Sequence, residues 1–596
     1  MKENGLDKLR NFLKRESLSG MIIPSNDPHF GEYIQDYYKV ISYLSGFTGE
    51  AGTLVVTLED AALWTDSRFF IQAEIQLEGS GVELKKLKTP GCEPIEDWLK
   101  ERLTPGKQVS VDSDLYSLSA YRSLKKNLQP LDLVSVKDPF SEIWQERGVV
   151  RSEKIRFLGT HTTGENIHSK HSRVVETLGL KGEFLYLVSA CDDVAWLCNI
   201  RGNDIDYNPV PLSYAAISRE NVYLFVAEGS LHLKEKNLLE AEGVSVMKYN
   251  EFENFIADFS PSAVRIAYPD KLTISKYIAA TSKGAEFIPD TVRGGVVSSL
   301  KAVKNPTEIE GFRSAYILDG VAWVRLLIWL QKRLLEDSPL PTEADVSDKL
   351  IELRSESEDY IGESFAPISA WGPNAAMPHY EKDENKPVKL VKRGFLLLDT
   401  GGQYTFGTTD TTRTLAMGEI SEEQKTDYTL VLKGMINLSS AKFPSGTRGA
   451  QLDFLARGEI CKAAKVYFHG TGHGIGHALC VHEGPQSIRM EENPVQLEPG
   501  MVLSNEPAVY VEGDYGIRIE NTILCRNWKT TSWGNFLDFE TLTLVPIEKT
   551  AIDKKLLGAE SALWLNNYHK MVREILSPLL NEDERIWLAD KTSDLD

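Results

Sequence analysis

The sequence predicts a mixed chain, α/β grading into α+β, built as three consecutive domains, and three observations carry that expectation. A helix-then-strand order near the N-terminus recurs about 150 residues later. A long helical pattern opens at Pro306 and separates those two blocks from the rest. Beyond it, strand-rich stretches hold most of the clustered Asp, His and Glu residues. At 596 residues the chain is longer than one hydrophobic core normally serves. The expected boundaries are 1–155, 156–303 and 304–596.

In the first block, Leu6, Leu9, Phe12 and Leu13 recur at helical spacing, and MIIP follows as a short buried strand. YLSGFTG (43–49) then leads into the strand TLVVTL. The second block repeats this order with VVETLGL, the strand EFLYLVSA and DDVAWLCNIRG. Aligning Tyr43-Leu44 with Trp196-Leu197 sets Gly49 opposite Gly202. In the third block, Pro306, Thr307 and Glu308 form a helix-opening signature ahead of apolar residues spaced three to four apart. LPTEADVSDKLIEL reads as a second helix. Strands are expected over about 364–415, helices over 421–464, strands over 500–546, and amphipathic helix in the tail.

Composition narrows the function classes. The chain is 42% hydrophobic and 26% charged, as in ordinary globular proteins. A formal net charge of −20 disfavours nucleic acid and anionic membrane surfaces as partners. The six cysteines show no CxxC spacing and fit reduced thiols. The N-terminal MKENGLDKLRNFLKRES lacks the apolar core of a secretory signal, and VAWVRLLIWL (321–330) is too short to span a bilayer. A cytoplasmic protein is expected.

Three stretches carry chemistry. In GFLLLDTGGQYTFGTTDTTRT (394–414), an apolar run ends in Asp399, and Asp410 lies among threonines on the next strand. A carboxylate beside four buried-type residues is costly unless it is paired or metal-bound. FHGTGHGIGHALCVHEGP (468–485) holds four of the eleven histidines, His469, His473, His477 and His482. Alternating glycines oppose the helix that an HExxH zinc motif needs, and period-two geometry would put 469, 473 and 477 on one strand face. MVLSNEPAVYVEGDYGIRIEN (501–521) supplies Glu506 at a strand end and Arg518 with Glu520 on one face of an alternating strand. Two Asp, two Glu and a histidine cluster form a hard-donor set suited to Mn²⁺, Co²⁺, Fe²⁺ or Zn²⁺, paired ions included. Cys480 has no cysteine nearby in sequence, which opposes a thiolate site.

The ordered set Asp399, Asp410, His473, Glu506 and Glu520 resembles the five-ligand dinuclear site of the pita-bread metallopeptidases. Further stretches, including SGFTGEAGTLVVT, WTDSRFFIQAE, WGPNAAMPHY, HGTGHGIGH, VHEGP and SNEP, resemble the long, three-domain aminopeptidase P family over nearly the whole chain. FETLTLVPI followed by WLNNYH is similar to that family's C-terminal extension. The resemblance implies two creatinase-like α/β domains followed by a pita-bread catalytic domain. It implies two divalent ions, with Mn²⁺ favoured and Co²⁺ or Zn²⁺ compatible. Asp399 would chelate one ion, Asp410 and Glu520 would bridge both, and His473 with Glu506 would complete the second. His379 and His482 would face substrate, His469 would shuttle a proton, and Arg518 would orient the carboxylates; His477 has no assigned role. The implied activity is hydrolysis of the N-terminal Xaa-Pro bond of peptides by a hydroxide bridging the two ions. Family members are commonly dimers through their N-terminal domains. The alternatives are a prolidase restricted to Xaa-Pro dipeptides and a noncatalytic peptide-binding module, which the intact ligand set opposes.

Overall fold

A computed structural model describes residues 4–336, 339–381 and 387–595. The chain forms two compact units, one of residues 1–159 with 165–298, the other of residues 160–164 with 299–596.

The first unit holds two six-stranded sheets. The first comprises β1 (Gly20–Pro24), β2 (Thr53–Thr57), β3 (Ala61–Thr65), β4 (Glu83–Lys86), β5 (Gln108–Asp112) and β6 (Asp132–Val136), in the order β4-β3-β2-β1-β5-β6. The second comprises β7 (Phe184–Val188), β8 (Ser213–Ile217), β9 (Val222–Val226), β10 (Val244–Lys248), β11 (Val264–Ala267) and β12 (Phe287–Pro289), in the order β10-β9-β8-β7-β11-β12. The polarities match strand for strand. β1 and β7 each pair antiparallel with the next strand in sequence and parallel with the fifth strand of their sheet. Two sheets that share order and direction are the same fold twice, a much stronger likeness than the few aligned residues convey.

Local sequence explains the elements. Leu6, Leu9, Phe12 and Leu13 are the buried residues of helix Gly5–Arg15, whose N-cap Asn4 accepts from the Asp7 amide. β7, FLYLV, is buried throughout, as a central strand requires. Helix Ile167–Leu178 starts at the Asn166 cap and stops at Gly179, whose φ of 60° suits a residue without Cβ.

The second unit opens with α1 (Pro306–Leu335), held by a capping box in which Asn305 and Glu308 each satisfy the other's amide. α2 (Glu343–Arg354) follows, capped by Thr342. β13 (Ile368–Trp371), β14 (Phe395–Thr400) and β15 (Thr411–Ala416) form an antiparallel sheet with β14 central. Leu396 and Leu398 of β14 pack with Trp323 and Leu326 of α1. Alternation therefore turns Phe395, Leu397 and Asp399 to the other face. After α3 (Glu422–Ser439) and α4 (Gly449–Lys462) come β16 (Gly472–Gly474), β17 (Glu483–Ile488), β18 (Val502–Asn505), β19 (Ala508–Val511), β20 (Tyr515–Arg518), β21 (Asn521–Thr531) and β22 (Gly534–Thr541). β22-β21-β18-β16-β17 lie side by side in one sheet, and β19 and β20 form a hairpin. Helix α5 (Ala559–Leu576) buries Leu565, Tyr568, Val572 and Leu576 in a core shared with Tyr428 and Met435 of α3.

Candidate metal centre

Strands β14, β15, β16 and β18 and the β20–β21 junction deliver the five expected donors. Asp399 is the fifth residue of β14, opposite Thr412 of β15. Asp410 immediately precedes β15, and His473 is the middle residue of β16. Glu506 follows β18, its amide donating to the Thr471 carbonyl at 2.8 Å. Glu520 lies between β20 and β21, its amide donating to the Thr412 carbonyl at 3.1 Å. The first contact extends the β16–β18 pairing to the donor, and the second ties Glu520 to β15 of the other sheet.

The donor atoms converge. One ligand atom from each of Asp410, His473 and Glu520 lies within 4.8 Å of the others. His473 Nε2 is 3.4 Å from Asp410 Oδ2 and 3.4 Å from Glu506 Oε1. The other ring nitrogen, Nδ1, lies 3.0 Å from the Gly474 carbonyl and donates to it, which leaves the Nε2 lone pair facing the carboxylates. Arg518 donates through Nε (3.1 Å) and Nη2 to Asp399 Oδ2. Thr412 Oγ1 donates to Glu520 Oε2 at 2.7 Å, and Ser504 Oγ donates to Glu506 Oε1 at 3.2 Å.

Among the described residues, the buried oxygens Asp399 Oδ1 and Glu520 Oε1 have no hydrogen-bond partner. Three buried carboxylates and the half-buried Glu506 against one arginine form an unbalanced anionic cluster, whose oxygens call for a cation or a proton. Burial pushes the Asp399 carboxyl up, with Arg518 opposing. Burial also pushes Glu506 up to about 7, and drives Glu520 well above the carboxylate range with help from the charges of Asp410, Glu506 and Asp399. All-oxygen donors plus one imidazole suit hard or borderline divalent ions, so the residues fit the pair of ions that the sequence leads us to expect.

The histidines divide by environment. His482 packs edge-on against His473, ring centroids 4.4 Å apart. His379 follows Pro378, whose carbonyl accepts from Arg518 at 3.4 Å, so it borders the same cluster. His469 lies with Nδ1 3.9 Å from Glu506 Oε2 and Nε2 3.0 Å from the Tyr510 hydroxyl. Burial and the Arg518 charge lower His469 to about 3, so the ring is neutral. His477 is buried against Phe312 of α1 and is not among the converging donors.

The period-two expectation for 469–477 needs correction. Strand geometry covers only Gly472–Gly474, and the pairing slips between His473 and Gly474. A Cβ on Gly472 would lie 2.1 Å from the Ser504 carbonyl, and one on Gly474 would lie 2.3 Å from the Glu483 carbonyl. The glycines thus serve close backbone approach around His473, and the flanking histidines turn to different neighbours. Asp453 and Arg457 of α4 fix the preceding loop: Thr471 Oγ1 donates to Asp453 at 2.6 Å, and Arg457 donates to the His469 carbonyl at 3.3 Å.

Sequence reasoning did not single out Thr412, Ser504 or Tyr510. Thr412 and Ser504 lie inside the quoted DTTRT and SNEP stretches, so proximity in sequence was a usable signal. Tyr510 also lies inside the 501–521 stretch, but its role rests on contacts made by the fold: it accepts from Arg518 Nη1 and donates to His469.

Comparison with known proteins agrees with this architecture. The pattern of metallopeptidase family M24 matches residues 310–527, and that of the C-terminal region of peptidase M24 matches 535–595. The creatinase/prolidase N-terminal domain matches twice, over 6–145 and 146–308. Xaa-Pro aminopeptidase 1 of Dictyostelium discoideum is 36% identical over 99% of this chain and 96% of its own. A probable Xaa-Pro aminopeptidase P of Talaromyces marneffei is 37% identical over 99% of this chain and 92% of its own. The X-prolyl aminopeptidase of Caenorhabditis elegans, described as a cytosolic enzyme with a di-nuclear active site, superposes with a TM-score of 0.93 at 35% identity, covering 99% of both chains. An Xaa-Pro dipeptidase of Bacillus anthracis reaches a TM-score of 0.51 at 26% identity, over 64% of this chain and 99% of its own. Full-length likeness to the first three, and partial likeness to the dipeptidase, decide the assignment: the chain belongs to metallopeptidase family M24 and, within it, to the Xaa-Pro aminopeptidases, and it is a metal-dependent aminopeptidase.

Proposed function

We propose that this aminopeptidase releases the first residue of peptides whose second residue is proline, using two Mn²⁺ ions held by Asp399, Asp410, His473, Glu506 and Glu520. Co²⁺ and Zn²⁺ are compatible with the same donors. The observation that supports the reading is the convergence of Asp410, His473 and Glu520, with Glu506 3.4 Å from His473 and with Asp399 Oδ1 and Glu520 Oε1 left open. When bound, such ions lower the pKa of a water and polarise the scissile carbonyl.

The remaining roles belong to the chain. Arg518 holds Asp399 by two N–H groups, and Thr412 holds Glu520, so both carboxylates are fixed before substrate arrives. Proline's nitrogen carries no hydrogen, so the bond to be cut offers no N–H for recognition, and the departing amine must receive a proton. Glu506 is the group suited to move that proton, its carboxylate standing 3.4 Å from His473 among the donors. His379 and His482 border the cluster as substrate-side donors toward the developing oxyanion. Neutral His469, held by Tyr510 at Nε2 and by the Gly470 carbonyl at Nδ1, stands 3.9 Å from Glu506 as its proton-shuttling neighbour.

The three-domain division at 1–155, 156–303 and 304–596 and a homodimer formed through the N-terminal domains belong to the same reading. So does a cytosolic location, which the free thiols at Cys92, Cys191, Cys198, Cys461, Cys480 and Cys525 support. Among the described residues no helix is long and apolar enough to cross a membrane.

The test is cleavage of Xaa-Pro, Xaa-Pro-Xaa and Xaa-Ala-Xaa peptides after metal removal and add-back of Mn²⁺, Co²⁺ or Zn²⁺. Tripeptide cleavage that requires proline, highest with Mn²⁺, is expected. Cleavage of the dipeptide alone would make the protein a prolidase. No cleavage with any ion, and Asp410→Ala behaving like the parent, would make it a binding module.

A further inference from the structure

Arg413 is fully buried, and none of its partners is a carboxylate. It lies one residue past Thr412 on β15, so its side chain leaves the strand on the face opposite the metal centre. Nη1 donates to the Thr412 carbonyl at 2.9 Å and to the Glu520 carbonyl. Nη2 donates to Asn521 Oδ1 at 2.8 Å, the Val545 carbonyl at 2.8 Å and the Tyr568 hydroxyl at 2.9 Å. Nε donates to the Pro546 carbonyl at 3.2 Å. All five N–H groups are therefore used, and every acceptor is neutral.

Two features of this arrangement go beyond packing. An unpaired buried cation is costly, and a hydrophobic side chain would fill the same space without that cost. What stands behind the guanidinium is Glu520, whose peptide it grips and whose carboxylate belongs to a cluster of four. The other side of the grip comes from the C-terminal region. Tyr568 of α5 is stacked on Trp564, and its hydroxyl donates to the Val545 carbonyl at 2.7 Å while accepting from Arg413. His569, next in sequence, accepts from the Ile547 amide at 3.0 Å and holds the same 543–547 segment.

We propose that Arg413, braced by Tyr568, is a positioning residue for Glu520, and that the C-terminal region thereby forms part of the metal centre. The guanidinium fixes the Glu520 peptide between β15 and the 545–546 segment. The inference rests on the metal-centre reading above.

The test measures Mn²⁺ affinity of the full chain by competition with a chelator, alongside the melting temperature of the metal-free protein. Arg413→Lys keeps the charge but loses the planar fork, and about tenfold weaker Mn²⁺ binding is expected. Tyr568→Phe keeps the ring and loses the hydroxyl, and about threefold weaker binding is expected. Lys549→Ala is the control, because Lys549 holds the same C-terminal region through Ser593 and does not touch Arg413; its Mn²⁺ affinity should equal the parent's. If Arg413→Lys does not fold, Tyr568→Phe against Lys549→Ala carries the comparison. Lower melting temperatures with unchanged Mn²⁺ affinity in Tyr568→Phe and Arg413→Lys would reduce the clamp to structural support and overturn the proposal. A parent protein that holds no ion would overturn the metal-centre reading, and this inference with it.

Discussion

Glu483 and Glu520 are both buried glutamates of the same unit, 3% and 1% exposed, yet their surroundings are opposites. Glu483 is met by two ammonium groups, Lys301 at 3.1 Å and Lys304 at 2.5 Å. Glu520 is met by one hydroxyl and three further carboxylates, and one of its oxygens has no partner. The first has two cations beside it, and the second has no cation in contact among the described residues. A buried carboxylate that the chain itself neutralises is structural; one left short is a seat for a cation. Both occur in glycine-rich or strand-end sequence, so residue type alone does not separate them.

The contrast is broken most directly by removing each charge in turn. Glu520→Gln is expected to lower kcat/KM by more than about 100-fold, beyond the usual cost of losing an outer partner of a metal ligand. In the metal-free protein the same change relieves repulsion, and the melting temperature should rise, by about 1 kcal/mol of stability. Glu483→Gln should do the reverse, destabilising the metal-free fold by about 3–5 kcal/mol, because the buried ammoniums of Lys301 and Lys304 lose a carboxylate partner. Thermal and denaturant unfolding of chelator-treated protein checks both signs. Two changes of the same sign would erase the distinction.

A smaller effect sharpens the charge deficit at the metal centre. Glu506 holds its proton up to about pH 7 in the metal-free fold, against about 4.3 in an unfolded chain. A group raised in this way favours the fold fully below the unfolded value, and that contribution is lost as the pH rises through 7. His29, His469 and His569, lowered to about 4, 3 and 3 by burial, tilt stability the other way as the pH falls below 6.5. Ion affinity is therefore the cleaner readout than melting. An entering ion must displace the Glu506 proton, so Mn²⁺ affinity should rise by about tenfold per pH unit between 5.5 and 7 and level off above. Chelator-buffered titrations at pH 5.5, 6.5 and 7.5 measure it. A flat affinity would mean that Glu506 titrates as an ordinary carboxylate.

What was legible in the sequence follows from where the determining contacts lie. Asp399 stood out because four apolar residues precede it, and Glu506 because a strand ends there; these are local signals. The repeat of the first two domains shows in the sequence as a recurring helix-then-strand order and a thin alignment of Tyr43-Leu44 with Trp196-Leu197, whereas the strand order and polarity repeat completely. Sheet order is set by non-local pairing, which tolerates changes in almost every residue provided burial is kept. The histidines of 469–477 were read as one strand face because alternation was the only local rule available. Close approach by the Ser504 and Glu483 carbonyls, supplied by other strands, decides the true path. Arg413 and Tyr568, 155 residues apart, carried no local signal, and neither did the excess of lysine around Glu483.

That excess yields the smallest expected effect. Lys304 Nζ is buried, and its ion pair is with Glu483. Lys304→Met leaves Lys301 at 3.1 Å, one cation for one carboxylate, and the unbranched thioether can fill the vacated space. The lost attraction is offset because one buried ammonium no longer has to be stripped of water. Stability should stay within about 1 kcal/mol of the parent, against the 3–5 kcal/mol expected, to order of magnitude, for Glu483→Gln. Paired urea unfolding curves at one metal concentration measure the difference. A cost for Lys304→Met as large as that of Glu483→Gln would show that Glu483 needs both cations, and its site would then be balanced rather than over-supplied.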